Sequence, residues 1–186
     1  KNLEILIIND GSTDDTGNLL TKFEAEVNIQ IFENKENIGL TKSLNKLINE
    51  ANGKFIARQD GDDYSFPKRI QKQVDIMKNY NLDFCSSRAY IKNSKKKIPS
   101  FSHYLPYKLL MKYKNPFIHG TVMIKNSVLE QIGLYDERFY YAQDYKLMKD
   151  LIKEGYKYKV IGNPLYELNM EGNISSNQKS EQKRFA

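Results

Sequence analysis

The feature that most constrains this chain is an alternation of short apolar runs with amphipathic stretches. Ile5-Leu6-Ile7-Ile8 is apolar and is closed by Asn9-Asp10-Gly11-Ser12, the pattern of a buried strand ending in a turn. Ser12 to Thr16 then offers helix caps and acidic first-turn residues, and Leu19, Leu20 and Phe23 continue at helical spacing. Residues 28–32 alternate like a second strand. Leu40, Leu44, Leu47, Ile48 and Ala51 mark one helix face, which Asn52-Gly53 terminates. A third strand, Lys54 to Arg58, runs into Gln59-Asp60-Gly61-Asp62-Asp63. Pro67 suits the start of the next helix, which carries Ile70, Val74 and Met77, and Leu82 to Cys85 opens another strand. The pattern predicts an α/β fold: an open mixed, mostly parallel sheet flanked by helices.

In such sheets ligands gather at the carboxyl ends of strands. Two polar clusters lie at such ends, Asn9 to Ser12 and Asp60 to Asp63. The second half reads differently. Residues 92–99 suggest a hairpin, 107–113 a short helix, 121–124 a strand and 143–154 a helix. Short strands are expected at 156–161 and 164–168. The expectation is a single domain over 1–186, with a nucleotide-like half at 1–87, a variable half at 88–174, which the resemblance described below makes the acceptor side, and a polar tail at 175–186.

Composition narrows the function classes. With 186 residues, the chain is long enough to bury a core without a disulfide or metal staple. Cys85 is the lone cysteine, which excludes a disulfide framework or a cysteine-based zinc site and fits a reducing, cytoplasmic compartment. The net charge of +6 comes mainly from lysine, with one cluster at Lys92, Lys95, Lys96 and Lys97. Specific nucleic-acid readers favour the arginine fork, and no nucleic-acid-binding signature is present. The charge therefore points to solubility and a mild attraction to anionic partners, such as sugar nucleotides or the cytoplasmic leaflet.

Asp60, Asp62 and Asp63 crowd three carboxylates into four residues. Adjacent carboxylates repel unless a cation compensates. Magnesium-type sites use one or two carboxylates together with substrate phosphates. The alternative reading is a surface turn that simply precedes a helix.

Four ordered segments carry a resemblance: Ile7 to Thr16; Glu36 to Asn45; Phe55 to Pro67; and His119 to Ile124 followed by Ile132 to Glu137 and Ala142 to Leu147. Together they resemble a family 2 glycosyltransferase of the GT-A fold. The resemblance implies an inverting enzyme that moves a sugar from a nucleotide-diphosphate donor, such as a UDP-sugar, to a glycan or lipid-linked acceptor. It implies Asp10 at the nucleobase side of the donor, Asp60 near the ribose or metal and Asp62 as ligand to a divalent cation, manganese or magnesium. Asp63 would support that site. Asp144 would be the catalytic base, and His119, Gly120 and Gln143 would support it or line the acceptor pocket. Tyr140 and Tyr141 offer faces for sugar stacking. A role in bacterial cell-surface polysaccharide synthesis at the inner membrane face would follow.

The chain departs from the family pattern in several places. Family members usually carry a further strand and helix before the segment that starts at Leu3, so a truncated chain is expected. Leu44 stands where many members have arginine, Gln143 where they have an acid, and Met170 near where they have a metal-binding histidine. These departures keep two alternatives open: a non-catalytic glycan- or partner-binding domain on the same fold, and a nucleotidyltransferase.

Overall fold

A computed structural model describes residues 2–170, which leaves the expected polar tail at 175–186 outside the described residues. Strands β1 (Ile5–Asp10) and β2 (Ile29–Asn34) form a parallel pair. Helix α1 (Thr16–Thr21) links them and buries no residue; Leu19 and Phe23, expected to pack, are about half exposed. Helix α2 (Leu40–Glu50) leads to β3 (Phe55–Ala57), and β4 (Tyr64–Ser65) precedes α3 (Arg69–Asn79). Then come β5 (Phe84–Ile91), β6 (Lys97–Ile98), α4 (Tyr107–Leu110), β7 (Met123–Lys125), α5 (Asn126–Ile132), α6 (Gln143–Lys153) and β8 (Tyr158–Leu168).

The larger sheet has the order β3-β7-β5-β8-β4, with β6 paired to β5. It is mixed, as expected, but not mostly parallel. Among the described residues parallel pairing is confined to β1–β2 and β5–β8. The pairs β3–β7, β4–β8, β5–β6 and β5–β7 are antiparallel. The cause is chain reversal in the second half: β6 folds straight back on β5, and β7 enters between β3 and β5 from the opposite direction. β3 is therefore not laddered to β1. The Glu4 carboxylate connects the two regions instead, accepting the N–H groups of Asn52 and Gly53 at 2.8 and 2.6 Å.

The pleat sorts side chains into two cores, because successive residues of a strand face opposite ways. On β5, Phe84 joins one core and Cys85 the other; on β7, Ile124 and Met123 divide the same way. The larger core packs the sheet against α2, α4, α5 and α6, with Phe84 stacked on Tyr158 and tilted against Phe117. The smaller core packs α3 through Met77, Ile70 and Val74. The two short strands expected after residue 156 are one strand, β8. Its register against β5 shifts around Arg88, where Gly162-Asn163-Pro164 bulges. Proline has no N–H for a ladder, and a bulge re-aims the side chains that follow.

Helix α2 also differs from expectation. Its buried residues are Thr41, Ser43, Asn45 and Ile48, while Leu40 is exposed. The inward face is polar because it clasps the second half of the chain. Asn45 donates to the Tyr135 carbonyl at 2.9 Å and to Glu137 at 3.1 Å, and accepts the Tyr135 N–H at 3.0 Å. Thr41 donates to the Phe139 carbonyl. Asn45→Ala strands buried backbone groups, so it should cost about 2–3 kcal/mol. Urea unfolding should show a lower midpoint with an unchanged slope.

Candidate active site

The site begins with two glycine turns. Gly11 adopts φ +70, and a Cβ there would sit 2.6 Å from the Asn37 N. The turn after β1 therefore lies directly against the loop after β2. Asp10, the last residue of β1, bridges them. It accepts Asn34 Nδ2 at 2.9 Å and the N–H groups of Ile38 and Gly39, each at 3.0 Å. Burial pushes its pKa up, but the donors Ile38, Asn34, Ser43 and Gly39 outweigh burial and hold it below the ordinary value. Asp10 is thus a fully ionised latch on the loop that feeds α2. The Tyr140 ring lies over Gly39, where a Cβ would meet Cε2 at 2.9 Å, and Tyr140 is edge-on to Tyr141 at 4.9 Å.

The acid turn after β3 is built on a buried cation. Arg69, the first residue of α3, is 1% exposed. It donates to the Arg58 carbonyl at 2.6 Å, to Gln59 Oε1 at 3.0 Å and to Gln73 Oε1 at 2.9 Å. Its guanidinium lies 4.8 Å from the centre of the Tyr166 ring. Burial lowers its pKa to about 10, so it stays charged at neutral pH. Tyr166 in turn accepts the Asp60 N–H at 3.1 Å. Asp63 accepts the Asn169 N–H at 2.7 Å, which closes the turn against the end of β8 and brings Met170 beside it. Burial raises the Asp63 pKa; the Asn169 and Tyr166 donors oppose this, and the charges of Asp60 and Asp62 add to it. Asp62 is exposed, and its carboxylate makes no hydrogen bond among the described residues.

Arg58 connects this turn to the rest of the site. Its side chain is mostly buried and ion-paired with Asp60. Among the described residues its Nε is a buried donor with no hydrogen-bond partner. Its charge also acts on His119, Tyr135 and Asp144. His119 pairs with the Tyr135 hydroxyl at 2.8 Å, and burial drives its pKa well below the ordinary value, so it is neutral. A Cβ on Gly120 would stand 2.6 Å from the Tyr166 hydroxyl and 3.0 Å from Asp60 Oδ2. Only glycine lets this segment approach the acid turn so closely.

Asp144 is the second residue of α6. The residue that caps the helix is Ala142, in left-handed backbone, and Asp144 lies in the first turn. Asn115 Nδ2 donates to it at 2.7 Å. Desolvation raises its pKa, against the Tyr145 N–H, Asn115 and the Arg58 charge, which lower it. A carboxylate so placed is a stronger proton acceptor than one in water. Gln143 is buried beside it.

The structure brings Gly120 against Asp60 and Tyr166 and pairs Asp60 with Arg58, while His119 is held by Tyr135 and Asp144 by Asn115. Asp10 anchors a separate latch, and Asp62 projects outward. Among the described residues no three His, Cys, Asp or Glu side chains converge as a metal cage. Sequence reading did not single out Arg58, Arg69, Asn115 or Tyr166. Arg69 follows Pro67 as an ordinary helix-start residue, and only its spacing with Gln73 and Met77 hints at an inward face.

The chain is thus an α/β domain with acidic turns at the ends of β1 and β3. The chain belongs to glycosyl transferase family 2, whose family model matches residues 1–137. It is 30% identical to EpsE of Bacillus subtilis over 178 residues, covering 90% of this chain and 63% of that protein. It is 29% identical over 161 residues to WfaP of Escherichia coli, a UDP-Glc:alpha-D-GlcNAc-diphosphoundecaprenol beta-1,3-glucosyltransferase, covering 84% of this chain and 61% of that one. The fold superposes on S. aureus TarS in complex with UDP-GlcNAc with a TM-score of 0.78 at 18% identity, covering 94% of this chain and 52% of that one. The chain thus spans between half and two thirds of the length of these relatives. The GT-A-type architecture that the resemblance implies is the one observed.

Arg69→Leu leaves the Arg58 carbonyl and the buried Gln73 amide oxygen without this donor, and removes the bond to Gln59. It should cost about 3 kcal/mol, and Arg69→Lys should recover less than half of that, since an ammonium lacks the planar fork. Chemical denaturation of the three proteins side by side is the check.

Proposed function

We propose that this domain transfers a hexosyl group, with inversion, from a UDP-sugar to a hydroxyl of a lipid-linked saccharide. Such an activity serves the synthesis of a bacterial surface polysaccharide at the inner membrane face. The observation that carries the reading is the Arg58 guanidinium. It pairs with Asp60, and among the described residues its buried Nε has no hydrogen-bond partner. A guanidinium with an unmet donor suits an anionic ligand such as a diphosphate. Support also comes from WfaP, whose name specifies a UDP-sugar donor and a diphosphoundecaprenol acceptor, and from TarS, solved with UDP and with UDP-GlcNAc.

In this reading Asp144 accepts the proton of the acceptor hydroxyl as that oxygen attacks the anomeric carbon. The bond to the donor phosphate breaks, and the diphosphate leaves with the electron pair. Asn115 orients the Asp144 carboxylate. Neutral His119 and Tyr135 wall the site without adding charge. Asp10 shapes the nucleobase side by pinning the loop at 34–39. The acid turn suits a hard divalent cation, because Asp62 is exposed and unengaged and Asp60 lies in the same turn. One or two carboxylates with phosphate and water complete such a site. A bound manganese or magnesium ion would neutralise charge on the leaving diphosphate.

UDP should raise the melting temperature of the domain when manganese is present and not in EDTA. Asp62→Asn should abolish that shift. Asp144→Asn should keep the shift and lose about 100-fold or more in transfer rate. Full turnover by Asp144→Asn would remove it as the base, and no shift with any uridine nucleotide would favour a non-catalytic domain.

The pH dependence has a defined sign. Asp144 must be ionised to act, so kcat/KM should fall as pH drops through its raised pKa. Asn115 lowers that pKa, so Asn115→Ala should move the acidic limb to higher pH. For stability the sign is opposite. A raised carboxylate pKa favours the fold at low pH, and this contribution is lost as pH rises through the folded value.

A further inference from the structure

Residues 84–129 contain nine lysines and arginines and no aspartate or glutamate, although the whole chain has a net charge of only +6. The remainder of the chain is therefore acidic on balance. Within the basic segment lies a 3-10 turn, Phe101–Tyr104, followed by α4 and a further helical turn to Lys114. One side of this element is bolted down. Tyr107 and Met111, four residues apart, are buried; Tyr107 packs on Phe117, and the Met111 carbonyl accepts the Tyr145 hydroxyl at 2.6 Å. The other side is open: Phe101 is 74% exposed, Tyr104 74%, Leu109 51% and Tyr113 81%. Leu109 and Tyr113 share the outward face, being four apart, and exposed Lys108 and Lys112 form the adjacent row.

We propose that this surface seats the domain on an anionic lipid bilayer, so that a lipid-linked acceptor meets Asp144. The proposal rests on the transferase reading for its purpose but not for its test. Aromatic and leucine side chains beside lysines are the composition of an interfacial anchor, in which rings enter the headgroup layer and ammonium groups stay with the phosphates. Charge selects the occupant. A second copy meeting this face in two-fold symmetry would set lysine against lysine. A nucleic-acid partner would be met by arginine forks, yet from 92 to 114 there are seven lysines and no arginine. The position fits as well. Asn115, next after Lys114, is the residue that holds Asp144, so the anchor runs directly into the candidate base.

The test is cosedimentation of the chain with phosphatidylcholine vesicles, with and without phosphatidylglycerol. The chain should sediment with the anionic vesicles and remain in solution with the neutral ones. Lys108→Gln with Lys112→Gln should weaken partitioning about five-fold per lysine. Leu109→Ser with Tyr113→Ser should weaken it also, and the melting temperatures of both variants should match the parent. Undiminished partitioning in both variants, or equal binding to neutral vesicles, overturns the proposal. So does a dimer in sedimentation velocity, or retention of single-stranded DNA, that the same substitutions abolish while vesicle binding persists. The UDP-induced melting shift, measured on the same variants, should be unchanged. If that shift is absent in the parent while vesicle binding holds, the transferase reading fails and the surface stands; the reverse result removes only the surface.

Discussion

The arrangement depends on a cation buried without a carboxylate in direct contact. Arg69 is enclosed by the Tyr166 ring, two glutamine side chains and the carbonyl of Arg58. Its charge is solvated by neutral dipoles, so it remains a net positive charge beneath the acid turn. That geometry dictates the path of residues 58–60, which directs the Arg58 side chain at Asp60 and the Asp60 N–H at Tyr166. A guanidinium suits this place because its planar fork satisfies several acceptors at once while its face lies on an aromatic ring.

The rest of the domain can be understood as attachment around that turn. The β1–β2 pair shares no ladder with the larger sheet, so its position depends on side chains. Glu4 tethers its start, Asp10 shapes the loop after β2, and Thr41 and Asn45 clasp residues 135–139 from α2. This explains why α2 turns polar residues inward. A purely apolar face would bury area but leave the backbone of 135–139 without partners, a cost comparable to the packing gained.

The two chemistries of the domain are also separated by physical means. Acids and the neutral His119–Tyr135 pair occupy the region where β3 ends and α6 begins, where burial tunes proton affinity. The lysines and exposed aromatics occupy the segment from β6 to α4, where long stems and ring edges can reach an anionic phase. Asn115 joins the two regions, ending the basic segment and holding Asp144.

Much of this was legible in the linear chain. Apolar runs closed by acid turns predicted the strands and the turns that end them, because period and punctuation are local properties. The ordered motifs pointed to the family, whose model matches residues 1–137. Strand direction was not legible: nothing local tells β7 or β4 to run antiparallel, since pairing is decided by partners far away in the chain. Nor was the inward face of α2, where Thr41 and Asn45 displaced Leu40 because distant carbonyls needed donors. Arg58, Arg69, Asn115 and Tyr166 read as ordinary residues. Their importance arises only when β8 and α6 return beside β3, for a buried charge acquires meaning from what surrounds it rather than from its neighbours in sequence.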